Sequence, residues 1–249
     1  MYTSLEAQLH DPFWNALGPP AELPLLLTFL EDAPARILYL GSGSGRLFLP
    51  LLEKLPLEAL DPSPDMNTLL RQNASQKKLT PIIHQTTLAD FQPSSPYHAI
   101  LIPTFTFQLL PDPLTAIQQI HHLLLPGGRL YLTAFKPLAE LNGDLPLNEP
   151  LPEDPLTLPD GSLAELTITT TLTKTHLTRH HHFTLTPTQG PPQTHQTTQH
   201  IRYFADHELE SLLQKNGFDI DVEIIDFAEP SEDDSTAGIS TFFAHRRQK

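Results

Sequence analysis

The sequence predicts an α/β protein whose mostly parallel sheet is covered by helices on both faces. Three observations carry that expectation. The run Ile37-Leu38-Tyr39-Leu40-Gly41-Ser42-Gly43-Ser44-Gly45-Arg46-Leu47 reads as a short apolar strand, a bend with glycines at alternate positions, and the start of a helix. Apolar strand runs and helix-period stripes then alternate as far as Phe135, and chains that alternate in this way join parallel strands through crossover helices. The same alternation returns after Asp206, beyond a stretch of different composition.

Each element has a local reason. Residues 23–30 form an apolar helix with Pro24 in its first turn, where a missing N–H is harmless. Residues 37–40 are a buried strand, and Leu47, Phe48, Leu51, Leu52 and Leu55 follow helical spacing. Residues 57–60 are a second strand ending in Asp61-Pro62. Ser63-Pro64 reads as an N-cap plus first-turn proline, with Met66, Leu69 and Leu70 on the inner face of the helix that follows. Ile82-Ile83 begins a third strand and residues 97–102 make a fourth. Residues 113–124 are a helix striped by Ile117, Ile120 and Leu124; Pro126-Gly127-Gly128 turns the chain, and residues 129–135 are a fifth strand.

Beyond Pro137 the pattern changes. Residues 138–159, rich in proline, asparagine and acid, read as a loop. Residues 163–203 are dominated by threonine at period two, broken by Pro187 and Gly190-Pro191-Pro192, which predicts about three antiparallel strands. They hold too few large apolar residues for a core of their own, so they are expected to pack on the α/β body or on another subunit. An exposed antiparallel edge calls for a partner, and a homodimer through this lid is the corresponding expectation. Asp206 then caps a helix carrying Leu209, Leu212 and Leu213, with Glu208 and Glu210 near its positive end and Gly217 just past its last turn. Residues 220–227 and 239–244 are the last strands, joined by an acidic surface loop over 228–238. The domain reading is a core of residues 1–137 and 201–249 and a β-rich lid of residues 138–200.

Length and charge restrict the function. A chain of 249 residues is one domain, or one domain with a sizeable insertion. A net charge of −14, with scattered basic residues, repels phosphate backbones, so nucleic acid is not an expected partner. No apolar run approaches the roughly 20 residues of a membrane helix, and no basic leader precedes one, so no membrane partner is expected. The chain has no cysteine, which removes disulfides and thiol chemistry. Without an export signal the expected compartment is the cytoplasm.

The glycine bend offers bare backbone and unpaired helix N–H groups to a nucleotide-like cofactor at the end of a parallel strand. A dinucleotide fold wants G-x-G-x-x-G, and Arg46 stands where its third glycine belongs. Asp61 ends the second strand, where a carboxylate can accept both hydroxyls of a ribose. The G-x-G-x-G of Gly41, Gly43 and Gly45 resembles the first motif of class I S-adenosylmethionine-dependent methyltransferases. Asp61-Pro62-Ser63-Pro64 followed by Met66 is similar to their second motif. Pro126-Gly127-Gly128 before an apolar strand, the block from Ala89-Asp90-Phe91 through Pro103 to Phe107, and Arg202-Tyr203-Phe204 leading to Gly217-Phe218 extend the resemblance over nearly the whole chain.

The small-molecule sub-group is nearest, similar to the glycine/sarcosine and amino-sugar N-methyltransferases, which carry a β-rich insertion after strand five. The resemblance implies a Rossmann-like class I methyltransferase fold with a seven-stranded, mostly parallel sheet and an antiparallel β lid. It implies S-adenosyl-L-methionine as cofactor, held by Gly41, Ser42, Gly43, Gly45, Asp61, Pro62, Met66, Thr87, Leu88 and Pro103. The chain departs from the family pattern in three places. Tyr39 replaces the usual acid before Leu-Gly, Ser42 replaces a frequent cysteine, and Thr86-Thr87-Leu88 replaces Gly-Asp-hydrophobic near the adenine. The Thr87 hydroxyl or the Leu88 N–H then has to bind the ring.

Methyl transfer from a sulfonium is an in-line displacement in which the enzyme mainly aligns the reactants and excludes water. No catalytic base stands out. His84, His98, His121 and His122 lie on core elements, and His121 falls on an apolar stripe. In the His180-His181-His182 run only the outer two share a strand face, and no acid or cysteine stands nearby, so no metal site is expected. Substrate contacts are expected from Tyr2 and Trp14 beside Phe13, from Phe105 and Phe107 after the fourth strand, and from Arg202 and Tyr203, where an arginine can grip a carboxylate; the open alternatives are packing of the N-terminal aromatics on the body, core packing of at least one of the two phenylalanines, and a surface or structural ion pair for Arg202. The activity these readings imply is methyl transfer from S-adenosylmethionine to a small polar metabolite, with nitrogen favoured. The alternative, motivated by Tyr39 and Thr87, is a non-catalytic binding or scaffold member of the fold. The glycine spacing argues against a nicotinamide-dependent oxidoreductase.

Overall fold

A computed structural model describes residues 4–31, 36–227 and 238–248. In chain order the elements are α1 (Ser4–Ala16), α2 (Leu23–Phe29), β1 (Ile37–Leu40), α3 (Phe48–Leu52), β2 (Leu57–Leu60), α4 (Pro64–Gln76), β3 (Ile82–His84), β4 (Tyr97–Ile102), a 3-10 turn (Thr106–Leu109), α5 (Pro113–Leu123), β5 (Leu124–Phe135), α6 (Leu138–Asn142), β6 (Pro150–Pro152), β7 (Leu156–Thr157), β8 (Leu163–Leu172), β9 (His176–Thr186), β10 (Gln193–Arg202), α7 (Glu208–Lys215), β11 (Phe218–Ile225) and β12 (Ile239–Arg246). The chain forms two compact units: an α/β unit of residues 20–136 with 204–249, and a β-rich unit of residues 1–19 with 137–203. No helix among the described residues is long and apolar enough to cross a membrane.

The α/β unit holds a seven-stranded sheet in the order β11-β12-β5-β4-β1-β2-β3. Strands β1 to β5 pair in parallel, and β12 runs antiparallel between β5 and β11. Period-two alternation on β1 sends Leu38 and Leu40 to one face and Ile37 and Tyr39 to the other. Ile117 and Ile120 of α5 and Leu209 and Leu213 of α7 cover the first face. Leu26 and Phe29 of α2, Phe48 and Leu51 of α3 and Leu70 of α4 cover the second. This is the class I methyltransferase fold that the sequence predicts. The order reverses at β1, whose neighbours are β2 on one side and β4 on the other, and such a switch opens a crevice at the carboxyl ends of the strands.

Local signals hold where short-range sterics decide. Ser63 caps α4, accepting the Met66 N–H at 3.2 Å. Gly217, at φ +88, follows the last turn of α7. Other expectations are corrected. Asp206 does not cap α7: its carboxylate pairs with Lys136 Nζ at 2.7 Å, and His207, at φ +60, stands at the cap position. Pro126-Gly127-Gly128 does not separate helix from strand; β5 runs through it as an irregularity in its pairing with β4. The proline-rich stretch read as a loop contains α6, β6 and β7. The expected loop at 228–238 lies outside the described residues except for Gly238.

The β-rich unit is an antiparallel sheet, β10-β9-β8-β6, with β7 also paired to β8. Its core corrects the expectation that the threonine-rich strands lack one. Helix α1, which the sequence reading did not find, carries Leu5, Leu9 and Phe13 four residues apart on one stripe. These pack with Ala164, Phe183 and Leu185, and the Phe13 and Phe183 rings lie 6.4 Å apart. Residues 4–19, placed with the core by the sequence reading, thus supply the apolar layer that the short threonine side chains cannot.

Candidate functional site

The bend after β1 is held open by its glycines. Gly41, Gly43 and Gly45 sit at φ +73, +51 and +94, where an L side chain is strained. A Cβ at Gly41 would lie 2.5 Å from the Thr106 methyl, and one at Gly45 would lie 2.4 Å from Leu70 Cδ1. At Gly43 a Cβ would meet nothing within 4 Å, so this backbone faces open space. The Gly41 N–H donates to the Leu60 carbonyl at 2.8 Å, tying the bend to the end of β2.

Asp61 completes the tie. Its Oδ2 accepts the Gly43 N–H at 2.9 Å and its Oδ1 the Ser63 N–H at 2.8 Å, while Asn67 Nδ2 donates to the Asp61 carbonyl at 2.9 Å. The residue is 8% exposed. A carboxylate has about four lone-pair sites, so Asp61 can order two backbone amides and also accept hydroxyl donors. The Ser42 hydroxyl, buried beside the bend, has no hydrogen-bond partner among the described residues. An orphaned hydroxyl, an open backbone face and an edge carboxylate together fit a ligand with a ribose and further polar groups.

The remaining cofactor candidates line the same edge of the α/β sheet. Met66 is fully buried on α4 and Pro62 is half-buried. Leu88 is buried beyond β3, and Pro103 is buried at the end of β4. Thr87 is engaged otherwise than expected. Its hydroxyl donates to Asp90 Oδ2 at 2.6 Å and accepts the Asp90 N–H at 3.2 Å, closing its own turn. This turn puts an acid, Asp90, beside Thr87 and Leu88. The signal was in the sequence as a threonine three residues before an aspartate, and the reading passed over it.

The substrate candidates divide between the units. In the α/β unit, Phe105 is half-buried, edge-on to Phe135 with ring centres 5.5 Å apart. Phe107 is fully buried and stacks on Phe204, which makes it a packing residue rather than a channel wall. In the β-rich unit, Trp14 lies 6.2 Å from the His10 ring, and Arg202 is half-buried. The Tyr203 hydroxyl donates to the Thr173 carbonyl at 2.6 Å, which commits it to the turn between β8 and β9. Tyr2 lies outside the described residues.

Two buried polar environments escaped the sequence reading, that of Glu22 and that around His181. Glu22, a lone acid before an apolar helix, is buried to 3% exposure in the α/β unit. In the β-rich unit one sheet face carries a polar stripe beside the apolar core. Thr197 donates to Glu6 at 3.0 Å, Arg179 donates to Glu140 at 3.3 Å, and His181 lies directly across from Thr197 in the strand pairing. His181 is 9% exposed and its Nδ1 has no hydrogen-bond partner among the described residues. Burial, with the charges of Arg179 and His180 adding, lowers its pKa to about 4.

The sign of that shift gives a pH dependence. A histidine held below its ordinary value of about 6.5 supplies stability above that pH and withdraws it as acidification approaches pH 4. Melting of the chain should fall by about 3 kcal/mol of stability over that interval. His181→Phe should flatten this part of the profile, as read by thermal melts at stepped pH; an unchanged slope would assign the loss to other groups.

Comparison with known proteins agrees with this frame. The sequence model of a family described as methyltransferase domain matches residues 19–223. A demethylmenaquinone methyltransferase of Thermus thermophilus is 34% identical over 112 residues, covering 43% of this chain and 50% of that protein. The chain thus spans about half the length of the curated relatives it matches. Among solved structures, an S-adenosylmethionine-dependent methyltransferase of Clostridium acetobutylicum superposes with a TM-score of 0.77 at 12% identity, covering 98% of each chain. The sugar N-methyltransferase KedS8 of Streptoalloteichus superposes at 0.74 with 18% identity, over 100% of this chain and 96% of its own. At such identities these likenesses speak for the fold.

Proposed function

We propose, from the premise that this chain belongs to the methyltransferase domain family, that it transfers the methyl group of S-adenosylmethionine to a nitrogen of a small polar metabolite. One observation carries the donor half. Asp61 joins the end of β2 to the bend after β1 through the Gly43 N–H, next to an open backbone face and the unpartnered Ser42 hydroxyl. The Asp61 carboxylate then accepts the ribose hydroxyls. The bend amides and the Ser42 hydroxyl meet the polar end of the ligand, and the Asp90 carboxylate accepts the adenine amino group beside Leu88. When bound, the sulfonium supplies an electrophilic methyl group with a good leaving group.

A neutral amine brings its own lone pair and needs only alignment and dehydration. Titration calorimetry with S-adenosylhomocysteine should show saturable one-to-one binding. Incubation with labelled S-adenosylmethionine and a panel of amines, acids and thiols should label an amine. No binding at millimolar ligand to folded protein would remove the donor reading. Binding without transfer to any panel member would leave a non-catalytic binding module.

A further inference from the structure

Glu22 has a place at this edge that its sequence context does not announce. It immediately precedes α2, yet its carboxylate makes no bond to that helix. Oε1 accepts the Thr133 hydroxyl at 2.7 Å, the Tyr131 hydroxyl at 3.0 Å and the Thr104 N–H at 3.1 Å, and Oε2 accepts the same Thr104 N–H at 2.9 Å. Thr104 sits at φ +55, a conformation that costs a β-branched residue energy and persists only when its surroundings fix it. Two residues on, Thr106 presses against Gly41. A single loop therefore has a buried carboxylate on one side and the glycine bend on the other.

We propose that Glu22 is a positioning residue of the donor site: its ionised carboxylate holds Thr104 in the left-handed conformation and so sets the 103–107 loop against Gly41. This deepens the methyl-donor reading and rests on it. The ionised form is required because both oxygens accept, and a protonated acid turns one of them into a donor. The groups facing Glu22 are Tyr39 from β1, Tyr131 from β5, and the charge of Arg46 at the far end of the bend. Burial keeps both phenols protonated, so Glu22 is the acid among them whose charge changes as pH falls. Burial also raises its pKa, against the pull of the Thr133, Thr104 and Tyr131 bonds and of Arg46. A carboxyl raised in the fold gains stability on protonation, so the ionised form weakens the fold at neutral pH.

Glu22→Gln separates the two roles. The amide keeps one acceptor oxygen for the Thr104 N–H but sets its NH2 group beside the same N–H, so the two-oxygen clamp is lost. S-adenosylhomocysteine should bind the variant about tenfold more weakly at pH 8 by calorimetry, while the melting temperature is no lower than that of the wild type. Wild-type affinity should fall as pH drops through the Glu22 titration, and the variant should show no such limb. In the ligand-free proteins, amide exchange at Thr104 should be faster in the variant. Unchanged affinity in Glu22→Gln, alongside weakened binding in Asp61→Asn, would overturn the role of Glu22 and spare the donor reading. Weakened binding with an equal loss of melting temperature would overturn it in favour of a structural role. A wild-type protein that binds no S-adenosylhomocysteine would overturn both.

Discussion

Asp61→Asn should weaken S-adenosylhomocysteine binding by about tenfold to a hundredfold and leave the sheet intact. The two carboxylate oxygens divide their work, Oδ2 taking the Gly43 N–H and Oδ1 the Ser63 N–H. An asparagine retains one acceptor oxygen and turns its amide nitrogen toward the other N–H, so either orientation sets a donor against a donor. Hydrogen bonds to a charged acceptor are worth about 1.5–3 kcal/mol, and about 1.4 kcal/mol is tenfold in affinity. The loss falls on the ligand twice, through the hydroxyls that Asp61 would accept and through the bend it orders. Calorimetry paired with a circular dichroism melt checks this. Affinity equal to that of the wild type in a folded variant would show that the ligand is not held here.

Gly45→Ala should be the most destabilising single methyl in the bend. Its Cβ would lie 2.4 Å from Leu70 Cδ1 and 2.9 Å from Leu49 Cγ, two core side chains that the surrounding helices hold in place. The φ of +94 adds backbone strain to the overpacking. Together these amount to about 3 kcal/mol, or a fall of roughly 6–12 °C in melting temperature for a chain of this size. Gly43→Ala is the internal contrast. Its Cβ meets nothing within 4 Å, so its cost is the φ term of about 1–2 kcal/mol, and its methyl intrudes on the open face where a ligand would lie. Equal melting losses in the two variants would mean that close packing at Gly45 is not what fixes the bend.

Much of the fold could be read from the chain because its signals are local. The apolar run Ile37–Leu40 ending in a glycine bend, the serine-proline start of α4 and the glycine after α7 each set a conformation through atoms a few residues apart. Such choices depend little on the rest of the molecule. Reading failed where a distant group outbid the neighbour. Asp206 left its helix for Lys136, 70 residues away. Helix α1, with Pro12 inside it, has a weak stripe that becomes meaningful only against Phe183 and Leu185. At the site, the glycines and Asp61 stood out by spacing and strand-end position. Asp90 stood only within a motif block with no role of its own, and Glu22 did not stand out, since an isolated acid before an apolar helix looks like solvated surface.

By itself, then, the sequence determined the alternation of strands and helices in the α/β unit, the glycine bend after β1 and the carboxylate at the end of β2. Backbone sterics and side-chain period act over one or two turns of chain, and those ranges are written residue by residue. Only the tertiary structure decided which acids lose their water and which loops they hold. The partners of Glu22 lie 82, 109 and 111 residues away in Thr104, Tyr131 and Thr133. Burial and hydrogen bonding of a charge depend on what the fold brings around it, and no local pattern records that.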